Sequence, residues 1–120
     1  MTTSYKLAKH KSANCHVKAY DDGRIEFFSY STLVITAIPD SWYYSHSEQF
    51  KDNTIISPAG FIENNNTYLL HCITTYSQTT SRQITWFIRE YFPNVDSKMV
   101  KDTQGTDDLI LANRKYMGNK

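Results

Sequence analysis

The chain has 120 residues, 40% apolar and 14% aromatic, which suits one hydrophobic core and excludes a disordered segment. Thirteen Lys and Arg against twelve Asp and Glu leave a formal charge of +1, which excludes the basic balance of a DNA-coating protein. Two cysteines exclude a disulfide-stapled scaffold and a four-cysteine zinc site.

No apolar run follows the early lysines, so no secretory signal is expected. The longest apolar stretch, residues 33–38, is interrupted by Thr36 and is too short to span a bilayer. The expectation is a cytoplasmic protein with reduced thiols and no membrane partner. Charge is nevertheless segregated. Residues 1–20 carry Lys6, Lys9, Lys11 and Lys18 with no acid, whereas residues 21–64 carry seven acids against Arg24 and Lys51. A basic start (+4) therefore precedes an acidic segment (−5), a dipole able to orient a partner.

Eleven Ser, thirteen Thr and nine Tyr bias the chain toward pleated, half-buried surfaces. Cys15, Val17 and Ala19 alternate with Asn14, His16 and Lys18, the period of a strand with one wet face. Asp21-Asp22-Gly23-Arg24 then signals a hairpin. Residues 25–38 are apolar on both parities and predict one long central strand, bent or bulged near Ser29-Tyr30-Ser31. Pro39-Asp40-Ser41 stops it, and residues 41–54 read as an irregular excursion. Two short strands are expected at Ile55-Ile56 and Phe61-Ile62, a turn at Asn64-Asn65-Asn66, and a further strand over 67–76.

One strong helix follows, over about 81–92. Thr80 and Gln83 fit a capping box, and Ile84, Phe87, Ile88 and Tyr91 form an apolar stripe that should lie on the sheet. Pro93 ends it. In the tail, Thr106-Asp107-Asp108 before Leu109, Ala112 and Tyr116, with Gly118, suggests a short C-terminal helix; a strand over 109–112 is the competing reading. The predicted fold is an α+β single domain: a curved antiparallel sheet of about five strands with the main helix on one face. Its core is expected over about 14–92, with 94–120 as an extension.

Few residues are arranged for catalysis. Cys15-His16 and His71-Cys72 lie on separate strands, where neighbours point to opposite faces, so no metal or other cofactor is expected. His46-Ser47-Glu48 resembles the His-x-Glu of zinc deaminases, but the partner Pro-Cys-x-x-Cys is missing from the sequence. No nucleophile elbow, Walker loop or dinucleotide fingerprint occurs, and an enzyme is not expected.

Two segments are candidates for binding. Thr79, Thr80, Ser81 and Arg82 place hydroxyls and a guanidinium at a helix start, where free N–H groups favour an anion or nucleotide. Ordinary capping accounts for Thr80 and Gln83 equally well. Trp42, Tyr43 and Tyr44, flanked by Asp40 and Glu48, have the composition of a protein-binding hot spot. The alternative there is that Trp42 plugs one end of the sheet. Trp86 reads as partly buried packing, and Lys6, Lys9, His10 and Lys11 as a solvated basic end.

Phe28-Ser29-Tyr30-Ser31-Thr32-Leu33-Val34, with Tyr76-Ser77-Gln78-Thr79-Thr80-Ser81-Arg82-Gln83-Ile84 further on, resembles a family of small phage and prophage proteins. That family has a Ser-Tyr-x-Thr-x-Val strand and a Tyr-Ser-x-Thr-Thr-Ser-Arg-His helix start. The resemblance covers roughly residues 14–92. Gln83 stands where the family often places His, the excursion over 40–60 is longer, and residues 94–120 are an addition. The family carries no assigned activity, so no catalytic residue is transferred. The resemblance implies a phage accessory product in the host cytoplasm, a class that includes stoichiometric inhibitors of host defence such as anti-CRISPR proteins. The leading expectation is such an inhibitor occupying a CRISPR effector or another defence protein. The alternative is a nucleotide- or single-stranded nucleic-acid-binding module, acting as a sponge for a signalling nucleotide.

Overall fold

The computed structural model of the chain describes residues 2–75 and 77–115. Tyr76, Tyr116 and Gly118, which entered the expectations above, lie outside the described residues. The strands are β1 (Thr2–Tyr5), β2 (Cys15–Tyr20), β3 (Ile25–Ser29), β4 (Thr32–Pro39), β5 (Thr54–Ile56), β6 (Thr67–Cys72) and β7 (Asp108–Asn113). The helices are α1 (Asp40–Ser45), α2 (Gln78–Tyr91) and α3 (Ser97–Lys101), with a 3-10 turn over Ser47–Phe50. The fold is α+β, as expected, but richer than a five-stranded antiparallel sheet with one main helix. All seven strands form one sheet in the order β1-β2-β3-β4-β6-β7-β5, and the β5–β7 pair is parallel.

The Asp-Gly hairpin joins β2 to β3. Gly23 has φ +94°, and a Cβ there would meet the Pro39 ring at 3.0 Å. The long strand expected over 25–38 is instead two strands. They reverse at Tyr30-Ser31, and Tyr30 takes the left-handed backbone (φ 57°) that usually marks glycine. Its N–H donates to the Asn14 carbonyl at 2.7 Å, which anchors the turn against β2. A bulge does occur, slightly further on. Phe27 faces Ile35 while Phe28 faces Leu33, so β4 carries Val34 as an extra residue. The Val34 carbonyl accepts from the Ile73 N–H at 2.8 Å, and its buried side chain explains why both parities of the run are apolar.

Register then separates two faces. Val17, Ile25, Phe27, Ile35, Ala37, Leu70, Cys72 and Ile110 lie on the face covered by α2 and are all buried. The predicted stripe of Ile84, Phe87, Ile88 and Tyr91 is buried against them, and the Phe27 and Phe87 rings stack at 4.6 Å. The helix begins three residues earlier than the capping box implied. Ser77 is the cap, its hydroxyl accepting from the Thr80 N–H at 3.0 Å. Thr80 and Gln83 turn inward instead: Ser29 Oγ donates to Gln83 Oε1 at 2.6 Å and lies 3.3 Å from Thr80 Oγ1.

Residues between 95 and 113 contribute to the core. Val95 and Val100 are buried, and Thr103 Oγ1 accepts from the Cys72 N–H at 2.8 Å while donating to the Val100 carbonyl. Of the two readings of the tail, a short C-terminal helix or a strand over 109–112, the strand forms: β7 lies between β6 and β5 with Leu109, Ile110 and Ala112 buried. Strand pairing on both sides supplies its backbone with partners that a short isolated helix would lack. Of the two short strands expected around 55–62, the first forms β5. The second is a loop held by Asn113, whose side chain bridges the Ile62 N–H and carbonyl.

Phe87 is fully buried at the centre of this packing, so Phe87→Ala should lower the urea unfolding free energy by about 3–5 kcal/mol. A loss under about 1 kcal/mol would mean that α2 does not dock through this ring.

Candidate functional site

Among the described residues no long helix lies over the face opposite α2. Its central row runs Lys18, Glu26, Thr36 and His71 across four strands, all half-buried. His16 stacks on Phe28 with centroids 5.0 Å apart, and Lys18 Nζ lies 5.2 Å from the same ring. Burial, then the charges of Lys6 and Lys18, hold the His16 imidazole below its ordinary pKa. His71 Nδ1 donates to the Asp108 carbonyl at 2.9 Å, which fixes that ring. Tyr20 donates its hydroxyl to Glu26 at 2.6 Å, and this bond pushes the Tyr20 phenol up from its ordinary value.

The segment expected to be irregular covers part of this face. Pro39 leads directly into α1, which carries Asp40, Trp42, Tyr43 and Tyr44. Trp42 is half-buried, stacked on His46 at 3.9 Å, with the Arg24 guanidinium 5.1 Å from its ring centre. Arg24 is itself fixed, with Nε 2.9 Å from Asp22 and its guanidinium over the Tyr20 ring at 4.6 Å. A cleft of about 190 Å³ remains beside Trp42, between Arg24, Glu26, Thr36, Ile38 and Leu69. Trp42 is therefore mainly a cover for the sheet.

Tyr43 and Tyr44 turn the other way, with ring centroids 5.3 Å apart, and Tyr43 also packs on Phe50 at 5.2 Å. They line a shallow depression with Asp40, Ile55, Phe61, Glu63 and Leu111. Tyr44 is 65% exposed, Ile55 39% and the adjoining Ile62 68%. Glu48 is exposed on the 3-10 turn and does not line this depression. The sequence pointed to the aromatics, but Ile55, Phe61 and Ile62 join them only through the β5–β7 pairing and the Asn113 bridge.

Thr79, Thr80, Ser81 and Arg82 do not converge. Thr79 and Arg82 are exposed, Ser81 is half-buried, and Thr80 is buried with its hydroxyl against Ser29 and Ser77. The geometry here is that of a capped helix docked on a strand.

The cysteines and histidines part across the sheet. Cys15 and Cys72 are buried free thiols on the α2 side, whereas His16 and His71 lie on the other face. Among the described residues no group of three or more His, Cys, Asp or Glu comes together to hold a metal. No helix among them is long and apolar enough to cross a membrane.

The fold and site together define an α+β protein whose mixed sheet is covered by a long helix on one side and an aromatic shoulder on the other. No protein-family model, curated protein or solved structure matches this chain.

Burial pushes the Cys72 thiol up to about 11 and raises Cys15 as well, so both should be protonated at pH 8. Ellman's reagent should label them at least about tenfold more slowly in native protein than in guanidinium, since the thiolate is the reactive form. Equal rates would place a cysteine at the surface.

Proposed function

We propose that the protein acts by occupying another macromolecule's surface rather than by transforming a substrate, through the shoulder formed by α1, β5 and the loop over 57–63. The observation that carries this reading is the shallow depression in which Tyr43, Tyr44, Ile55, Phe61 and Leu111 meet under an Asp40 and Glu63 rim. An apolar centre with aromatic anchors and a polar rim is the usual anatomy of a protein–protein contact. Tyr44 suits the role of anchor because most of its ring is free of intramolecular packing. The acidic rim fits a partner whose contact surface is basic, as a nucleic-acid-binding groove is.

The phage-family resemblance supplies the class of partner: a host defence protein, with a nucleic-acid-guided effector of the CRISPR type as the leading case. In such a complex Asp40 and Glu63 would face cations that otherwise bind phosphate, and occupancy alone would block the groove.

Purified effectors should bind the protein at a fixed stoichiometry and be displaced by excess guide or target nucleic acid. Tyr44→Ala should weaken this binding by about thirtyfold, the scale of a hot-spot truncation, and Ile55→Asp should abolish it with the fold retained. Unchanged affinity in both variants, or a product accumulating beyond one equivalent per chain, would contradict the reading.

A further inference from the structure

A larger cleft, of about 480 Å³, lies away from the aromatic shoulder, between residues 8–10 and the last turns of α2. Its walls are Lys9, His10, Trp86, Arg89, Glu90 and Lys115, together with Ala8. The volume is that of a site for one small ligand.

The cleft wall combines two kinds of side chain. One is aromatic: the His10 imidazole and the Trp86 indole stack almost parallel, 8° apart in plane, with centroids separated by 3.7 Å. The other is cationic. Lys9, Arg89 and Lys115 contribute three positive charges, and none forms an ion pair with a carboxylate among the described residues. Glu90 is the one acid on the wall, and its role is internal. Both of its carboxylate oxygens accept from the Ala8 N–H, at 2.9 and 3.1 Å, so the carboxylate fastens the 8–10 segment to the helix.

We propose that this cleft binds a nucleotide, its base laid against the Trp86–His10 pair and its phosphates held by Lys9, Arg89 and Lys115. The chemistry selects a ligand carrying both a planar ring and several negative charges. Ring stacking is indifferent to base identity, while Arg89 offers a fork that matches phosphate oxygens. An acidic peptide would satisfy the cations but leave the ring pair without a planar partner. The same nucleotide chemistry has two sources, a free nucleoside polyphosphate or one nucleotide of a single strand. This site is separate from the shoulder, so its failure would leave the protein-binding reading intact, and the reverse holds too.

The test uses the full chain carrying Trp42→Phe, which leaves Trp86 as the sole indole reporter. Adenosine triphosphate should quench its fluorescence saturably. Calorimetry should show inorganic triphosphate binding about tenfold more weakly, for want of a base to stack. Arg89→Glu should weaken the nucleotide at least about tenfold, as should Trp86→Leu read by calorimetry in the otherwise unchanged chain. Arg89 is exposed, so its charge reversal should leave the melting temperature in place and reports even where Trp86→Leu disturbs the fold. Displacement of the nucleotide by an oligothymidylate eight-mer at the Arg89-dependent site would make a strand the source, and no displacement would make it the free nucleotide. Absence of saturable binding for both nucleotide and eight-mer at millimolar concentration would overturn the proposal. So would equal affinity for nucleotide and inorganic triphosphate, or indifference to Arg89→Glu.

Discussion

The stack of Phe27 on Phe87 is the contact around which this molecule is organised. It joins the middle of the sheet to the middle of the only long helix among the described residues, with Ile84, Ile88 and Tyr91 extending the seal. Beside it the hydroxyls of Ser29 and Thr80 and the amide of Gln83 are buried and bonded to one another. Apolar packing alone would tolerate a slide of the helix along the sheet. A buried polar trio does not, because a shifted register would leave its members unpaired at about 1–3 kcal/mol each.

One helix can cover one face. The opposite face, with Lys18, Glu26, Thr36 and His71 in a row, is left to α1 and its aromatic side chains. Trp42, gripped by Arg24 and His46, closes part of it, while Tyr43 is half-buried against Phe50 and Tyr44 is exposed. The shoulder is thus a by-product of one-sided coverage, with Tyr44, Ile55 and Ile62 exposed on it. The cationic cleft has a different origin. It arises where residues 8–10 turn over the wet side of α2, so that the basic start of the chain meets Trp86 and Arg89. The charge asymmetry of the sequence survives folding as two separate surface regions, one lined by Asp40 and Glu63 and one by Lys9, Arg89 and Lys115.

Much of the first of these was legible in the linear sequence. Period-two alternation in β2, the Asp-Gly turn and the stripe of α2 are local signals, and each corresponds to an element in the fold. The Tyr30-Ser31 reversal was not legible, because left-handed backbone at a tyrosine has no compositional mark and depends on the Asn14 carbonyl just before β2. Strand β7 was ambiguous for a related reason. Leu109, Ile110, Leu111 and Ala112 suit either regular structure, and only the vacant pairing edge between β5 and β6 decides. For the sites, Trp42, Tyr43 and Tyr44 were visible as a cluster, but their division into a covering Trp42, a half-buried Tyr43 and an exposed Tyr44 was not. In the 79–82 segment the hydroxyls suit an anion in sequence, while in space Thr80 faces the sheet. Lys9, His10, Trp86, Arg89 and Lys115 span more than one hundred positions, too dispersed for any motif.

Native-state hydrogen exchange tests the central claim that sheet, main helix and C-terminal strand are one cooperative unit sealed by a single packed interface. Amides of Phe27, Leu70, Ile88 and Ile110 should share the slowest exchange and merge at the global unfolding free energy. Rapid, independent exchange at 108–113, with Phe27 and Ile88 still protected, would show that the C-terminal strand is no part of the core and would contradict the account.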